Sequence, residues 1–518
     1  MFDLLLKNAT VFDGTGSPGK KLDVAIAGGK IAQLAEHIAG SSRQTLDAAG
    51  NFLAPGFIDI QNHSDSYCTL FDQPEQVSLL AQGITSIVVG NCGSSLAPLL
   101  SGESIKSIQK WHNLAGINVN WASVGEFLDQ LAALPLGVNV GTLVGHATLR
   151  RGILRDEIRA TTADELKILD QALRQGLAQG ALGLSMGLVY AHEVDSSQAE
   201  LEQLTATLKE SGKYLSVHLR SEGSQILESL DEVIGLCRRS QVPVKISHLK
   251  IRGRKNWPVF NQVMEKLEAA YHQGLPISFD VYPYQTSWTV AYTYLPKWAY
   301  EGGRPQILSG IADPDTRRRI LDYLKDQSHD FDRIIVAEDA GDGNFVGKTL
   351  RQIAQNQNVS SEEALLNVIA ATSAQVLVFD HNLSPEQVSA LSMSPLSLIA
   401  TDGAGYAKKS PGLVHPRCFG TMPRFLKMVR ENGQIKWEDA IRKLTSEPAK
   451  LLGLTDRGIL KRGAAADLAV FDPQAVGDRA DYLNPDILPD GIELVLVNGQ
   501  PALQKNKFLI AAGTVIKR

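Results

Sequence analysis

Apolar positions along the chain fall into two textures. Between Ile84 and Gly403, short unbroken apolar runs end in polar residues and give way to stretches with helical spacing. The runs ITSIVVGNC, VNVGTLVGHA, ALGLSMGLVY, YLSVHLRSE, VPVKISHLK, PISFDVYPY, RIIVAED and SLIATDG read as buried strands followed by loops. Segments such as SQAELEQLTATLKESGK and WPVFNQVMEKLEAAYHQG read as the amphipathic helices between them. Alternating strand and helix, with His, Asp, Lys and Arg collecting at the carboxyl ends of the strands, predicts an α/β fold of the TIM-like barrel kind. A doubly wound open sheet is the competing arrangement of the same elements.

The ends of the chain read differently. FDLLLKNATVFD, LDVAIAGGKIAQLA and QTLDAAGNFLAPG at one end, and GAAADLAVFDP, IELVLVNGQPAL and FLIAAGTVIKR at the other, are short runs broken by Gly-containing turns. That texture predicts small antiparallel strands, and one joint β unit accommodates both ends. Residues from about 289 to 330, extending to about 350, contain PKWAYEGGRPQ and TRRRILDYLKDQ, break the barrel rhythm and predict an inserted helical lid. The expected division is a first β part over 1–54, a barrel over 55–454 and a second β part over 455–518. A chain of 518 residues is longer than one hydrophobic core usually serves, which agrees with several packed units.

Composition narrows the functional classes. With 44% apolar and 21% charged residues, the chain is neither disordered nor fibrous. A formal charge of -5 without a basic stripe argues against a nucleic-acid partner. No apolar run approaches the length of about 18 residues that a membrane span needs. Four dispersed cysteines, Cys68, Cys92, Cys237 and Cys418, form no CxxC pair and point to a reducing compartment, so a cytoplasmic protein is expected.

Three residues carry the clearest chemistry. Cys92, His218 and His248 each stand just after an apolar strand, where a barrel brings strand ends together. One thiolate and two neutral imidazoles suit Zn2+ and leave a position for water. Singly, a buried cysteine or a strand-end histidine is ordinarily structural; the coincidence of three shifts the balance. His63, in QNHSDS after the run APGFIDI, could add a fourth ligand. Asp402, ending LSLIATDG, could take a proton from water and return it to a leaving nitrogen.

APGFIDIQNHSD, VGNCGSS, GALGLSMGLVYAH, HLRSE, SHLK, DVYPY, ATDG and HPRCFGT, in this order over nearly the whole chain, together resemble the N-acyl-D-amino-acid deacylase (D-aminoacylase) family of the amidohydrolases. The resemblance implies a distorted β/α barrel, a small β-sandwich from both termini, an insertion near the mouth and zinc-dependent hydrolysis of N-acyl-D-amino acids. It puts Cys92, His218 and His248 on the tighter metal site, His63 on the second histidine of an HxH pair and Asp402 on the catalytic aspartate. Gln61 stands where the first histidine of that pair is usual, so one zinc ion is expected, with Gln61 acting by hydrogen bond or not at all.

The same resemblance makes Tyr190, Arg220, Lys250, Tyr282, Tyr284 and Arg417 candidates for holding the substrate. Arg220 and Lys250 each follow a proposed ligand by two residues and would share its face in a continuing strand. His63 or Tyr190 would meet charge on the tetrahedral oxygen. His146 and Glu222 are assigned supporting duty, and Glu222 or Asp59 would accept from a ligand's second ring nitrogen. Two alternatives stand beside this reading: a cyclic-amide hydrolase of the hydantoinase or dihydroorotase kind, which usually relies on a carbamylated lysine rather than a cysteine, and a catalytically inactive scaffold. A small-molecule N-acyl amino acid is the expected partner; homo-oligomerisation stays open.

Overall fold

A computed structural model of the chain describes residues 1–107, 117–155, 157–300, 302–326, 330–339, 343–409 and 412–518. Its centre is a ring of parallel strands in chain order: Phe57–Asp59, Ile84–Val89, Asn139–Thr142 continued by Val144–Gly145, Gly183–Gly187, Tyr214–His218, Val244–Ile246, Ile277–Val281 and Ser397–Ile399. Neighbours pair in parallel throughout. The third strand is interrupted at Leu143, yet the Leu143 amide donates to Val89 (2.9 Å) and the Leu182 amide to Thr142 (2.8 Å). A parallel bridge between Asn62 and Gly403 closes the ring, with the Asp402 amide donating to Gln61 (2.9 Å) and the His63 amide to Gly403 (2.7 Å).

Barrel strands are buried on both faces because side chains fill the interior and helices cover the outside. The helix Ala163–Ala178 shows why these segments coil: Thr162 and Glu165 form a capping box, and Leu169, Ala172, Leu173, Gly176 and Leu177 repeat at helical spacing and are buried. Ser197 caps Gln198–Glu210 through the Glu200 amide in the same manner. Every connection returns the chain to the same end of the barrel, so the carboxyl ends of all the strands face one mouth.

Both ends of the chain enter one nine-stranded sheet. Phe52–Pro55 pairs antiparallel with Leu468–Phe471 and parallel with Phe2–Val11, which joins the two termini. The sheet folds over a shared core in which Leu4, Leu6, Val24 and Ile26 meet Leu468, Val470, Leu494 and Leu496. This is the expected joint β unit, built as a single curled sheet.

The expected insertion takes in positions 301, 327–329 and 340–342, which lie outside the described residues. The interruption is broader than a helical lid. Ser287–Val290, Val376–Asp380 and Ile335–Asp339 form an antiparallel sheet, and the helices Gly303–Ala312, Pro314–Asp326, Leu350–Gln357 and Ser361–Ala371 pack on it around a separate core. RIIVAED, read above as a barrel strand, belongs to this sheet. Its pairing partner lies beyond two intervening helices, and its Glu338 and Asp339 are only half-buried. Among the described residues, no helix is long and apolar enough to cross a membrane.

Candidate active site

The mouth of the barrel collects its polar side chains by turning the chain sharply after each strand. Cys92, His248 and Asp402 follow the second, sixth and eighth barrel strands, and all three adopt left-handed backbone, with φ of 52°, 36° and 48°. For residues with a Cβ this region costs about 1–3 kcal/mol and persists only where the surroundings over-determine it. Those surroundings are visible: the His248 amide donates to the buried Asp280 carboxylate (2.8 Å), and the Asp402 amide is held by the bridge that closes the barrel. His218 needs no such turn because it is the last residue of its strand.

The turned side chains meet. Donor atoms of Cys92, His218 and His248 all lie within 4.8 Å of one another, and so do those of His63, Cys92 and Asp402. Cys92 Sγ is 3.4 Å from His248 Nε2 and 3.9 Å from His63 Nε2. Burial resists charge on Cys92, but the charge of His248 and hydrogen bonds from His218, His248 and His63 outweigh it and hold the thiol well below its usual pKa. Burial would also lower His248 and His63, yet Asp402 and Cys92 carry them up to about 9 and about 10. Protons therefore supply the positive charge that a cation would supply. His218 Nδ1 is buried without a hydrogen-bond partner among the described residues. A thiolate and two imidazoles, one of them with an orphaned ring nitrogen, fit a divalent ion with soft and borderline ligands.

Second partners steer these groups. Glu222 Oε1 lies 3.1 Å from His248 Nδ1 and 2.5 Å from Lys250 Nζ, so Glu222 fixes the outer nitrogen of one ligand and a nearby cation together. Asp59, the other acceptor expected in that role, instead takes hydrogen bonds from the Thr401 hydroxyl (2.5 Å) and Asn62 (2.8 Å). Asp402 accepts from Arg417 at one oxygen (2.9 Å) and faces His63 Nε2 from the other (3.1 Å). Burial raises its pKa, but Arg417, His248 and His63 together hold it well below the usual carboxylate range.

Gln61 acts by hydrogen bond. Its amide nitrogen donates to Cys92 Sγ (3.2 Å), while its oxygen accepts from Lys245 Nζ (2.5 Å) and Ser247 Oγ (3.2 Å). Lys245 is fully buried and also pairs with Asp280 (2.5 Å). The single atom by which Gln61 could bind a metal is thus turned toward an ammonium group.

Of the residues expected to hold a substrate, Tyr190, Lys250, Tyr282 and Arg417 line the cavity above this cluster. Arg417 stacks over the Tyr282 ring at 4.5 Å. Arg220 lies elsewhere. The strand stops at His218, alternation ends with it, and the guanidinium turns outward to Glu232 (2.8 Å) beside a separate surface groove. Tyr284 also stays out of the cavity: its hydroxyl is directed to Asp478 (3.3 Å) and Pro416 (3.4 Å) under Arg424. His146 sits in a buried network with Glu193 (2.9 Å) and Glu200 (2.6 Å), away from the cavity. Sequence reasoning missed Tyr67 and Trp288, stacked at 4.9 Å in the wall, and Arg252. A usable signal existed for Arg252, which stands two residues beyond Lys250.

A family model described as the amidohydrolase family matches residues 44–322 and 414–503. A D-aminoacylase from Alcaligenes xylosoxydans xylosoxydans is 30% identical over 519 residues, covering 100% of this chain and 98% of that protein. The chain belongs to the N-acyl-D-amino-acid deacylase family of the amidohydrolases. Among solved structures, an N-acyl-D-glutamate deacylase from Bordetella bronchiseptica, complexed with zinc and a phosphonate mimic of the tetrahedral intermediate, is 28% identical with a TM-score of 0.84 and full coverage of both chains. A D-aminoacylase, described as having a binuclear metal centre with one-metal activation and second-metal attenuation, is 29% identical with the same TM-score and coverage. Within this family, the present chain combines the cysteine and histidine cluster with a Gln61 amide turned away from the metal position.

Proposed function

We propose that this chain is a zinc-dependent hydrolase of the amide bond in N-acyl-D-amino acids. The observation that carries the reading is the convergence of Cys92, His218 and His248 from three strand ends beside the Asp402 carboxylate. Cys92, His218 and His248 would hold the ion, with His63 beside it. Bound zinc supplies Lewis acidity toward a carbonyl and acidifies water.

The chain's own groups do the rest. Asp402 takes a proton from the attacking water and returns it to the leaving nitrogen. Its pairing with Arg417 and His63 keeps it ionised and fixes its direction. Lys250, Tyr282 and Arg417 line the cavity as donors for the substrate carboxylate. Tyr282 Oη and Arg417 Nε are buried without partners among the described residues, which suits donors waiting for an anionic ligand. Tyr190 packs edge-on against His218 at 5.2 Å, and with His63 it is positioned to meet charge on the tetrahedral oxygen.

The test is a panel of N-acetyl D- and L-amino acids, with a hydantoin and dihydrouracil, offered to the zinc-loaded chain. Turnover of the linear D-substrates is expected. Hydrolysis of the cyclic amides alone, or of nothing on the panel, would overturn the reading.

A further inference from the structure

The cavity wall carries one lysine and two arginines, and two of these three have carboxylate partners: Lys250 pairs with Glu222 (2.5 Å) and Arg417 with Asp402 (2.9 Å). Arg252 has none. Among the described residues no carboxylate lies within ion-pairing distance of its guanidinium, and its Nε is buried without a partner. Its side-chain neighbour is Tyr294, whose ring centre is 5.7 Å away and whose hydroxyl donates to Asp380 (2.8 Å). Asp380 is not at contact distance; burial pushes that carboxyl's pKa up, and the Arg252 charge opposes the rise only in part. Of the three Lys and Arg side chains in the wall, Arg252 is therefore the one without a carboxylate at contact distance. Arg252 as a whole is half-buried and meets the Tyr294 hydroxyl, but a buried Nε–H without an acceptor is costly unless a ligand completes it.

We infer that Arg252 is a specificity residue that takes a second carboxylate, on the side chain of the D-amino acid, so that the substrate class is N-acyl-D-aspartate or N-acyl-D-glutamate. This rests on the deacylase reading and names its substrate. Three observations place the second anion on the amino-acid side chain. Arg252 follows Lys250 by two residues on the same loop. Its amide is fixed to the Glu222 carbonyl (2.8 Å), beside the carboxylate-binding group. Its charge interacts with Tyr294, Glu222 and Asp380 and, more weakly, with Tyr282, which stacks with Arg417. Arg252 thus extends the end of the cavity that holds the α-carboxylate, where the amino-acid side chain branches from the same carbon. The planar guanidinium suits two-point recognition of a carboxylate, and an amide of equal shape leaves that pairing incomplete.

The experiment compares kcat/KM of the zinc-loaded chain for N-acetyl-D-glutamate and N-acetyl-D-aspartate with that for N-acetyl-D-glutamine and N-acetyl-D-asparagine, and includes N-succinyl-D-alanine. The acids are expected to exceed their amides by roughly 10- to 100-fold, the usual range for a hydrogen-bonded charge. Arg252→Met should collapse that ratio toward one, with Arg252→Lys retaining part of it. Equal rates for acids and amides would overturn the proposal while leaving the deacylase reading intact. A ratio unchanged by Arg252→Met would assign the selection to another residue, and preference for N-succinyl-D-alanine would move the second anion to the acyl group; either overturns it. Failure on every substrate, amides included, would instead overturn the deacylase reading. Zinc content and circular dichroism of each variant report whether it has folded.

Discussion

The orientation of Gln61 leads to a definite expectation about metal count. For its oxygen to ligate a second ion beside His63, Cys92 and Asp402, the amide must rotate by half a turn. That breaks the N–H contact to the Cys92 thiolate (3.2 Å) and the contacts from Lys245 (2.5 Å) and Ser247 (3.2 Å), and it turns the amide nitrogen toward an ammonium group. Two of the three contacts involve charged partners, so the loss is about 4–7 kcal/mol. That corresponds to a roughly 10³- to 10⁵-fold weaker second site than one with a free donor there. Protein dialysed against excess zinc, desalted and measured by elemental analysis should retain one zinc per chain, and activity should hold as free zinc is raised. Gln61→His supplies a nitrogen ligand that needs no such rotation and should raise retention toward two. Two equivalents held tightly by the unaltered chain would refute the reasoning.

Asp402→Asn should lower kcat by roughly 10²- to 10⁴-fold, the usual contribution of a positioned acid–base group, while zinc content measured on the same sample stays near one; retained turnover would remove Asp402 from the mechanism. Zinc uptake should release protons at pH 7. In the metal-free chain His248 is held up at about 9, so below that pH it is protonated and must lose its proton before it ligates. Affinity accordingly rises with pH up to about 9, and calorimetry in buffers of different ionisation enthalpy should find about one proton or more per zinc; uptake with no release would contradict this. Gly93→Ala should lower stability by about 1–3 kcal/mol, read as the midpoint of urea unfolding, because its φ is +77° and a Cβ would come within 2.0 Å of buried Glu193. Arg220→Ala should leave kcat/KM within about twofold, because its half-buried pair with Glu232 lies outside the cavity and contributes only modestly; a large loss would return Arg220 to the cavity.

What the sequence conveyed depended on whether a feature was local. Cys92, His218, His248 and Asp402 were legible because apolar runs mark strand ends, and strand ends in a barrel share one mouth. Arg220 was misread because alternation holds only while a strand continues, and residue 219 already leaves it. RIIVAED has the composition of a barrel strand; its antiparallel pairing with Val376–Asp380 is a long-range fact that no local pattern carries. Gln61 was visible as a departure from HxH, but the direction of its amide is set by Lys245, 184 positions away. Arg252 could have been noticed from its place two residues beyond Lys250, but that its Nε lacks a partner is evident only in the packed cavity.

The sheet that joins the termini has a consequence for biosynthesis. Phe52–Pro55 leaves the ribosome roughly 400 residues before its neighbour Leu468–Phe471, a delay of about 20–80 s at ~5–20 residues per second. Throughout that interval the nascent amino-terminal strands present an open edge able to recruit strands from other chains. Trimming the last fifty residues would spare every group at the barrel mouth and still be ruinous, because the edge would never be sealed and the product would be lost to aggregation.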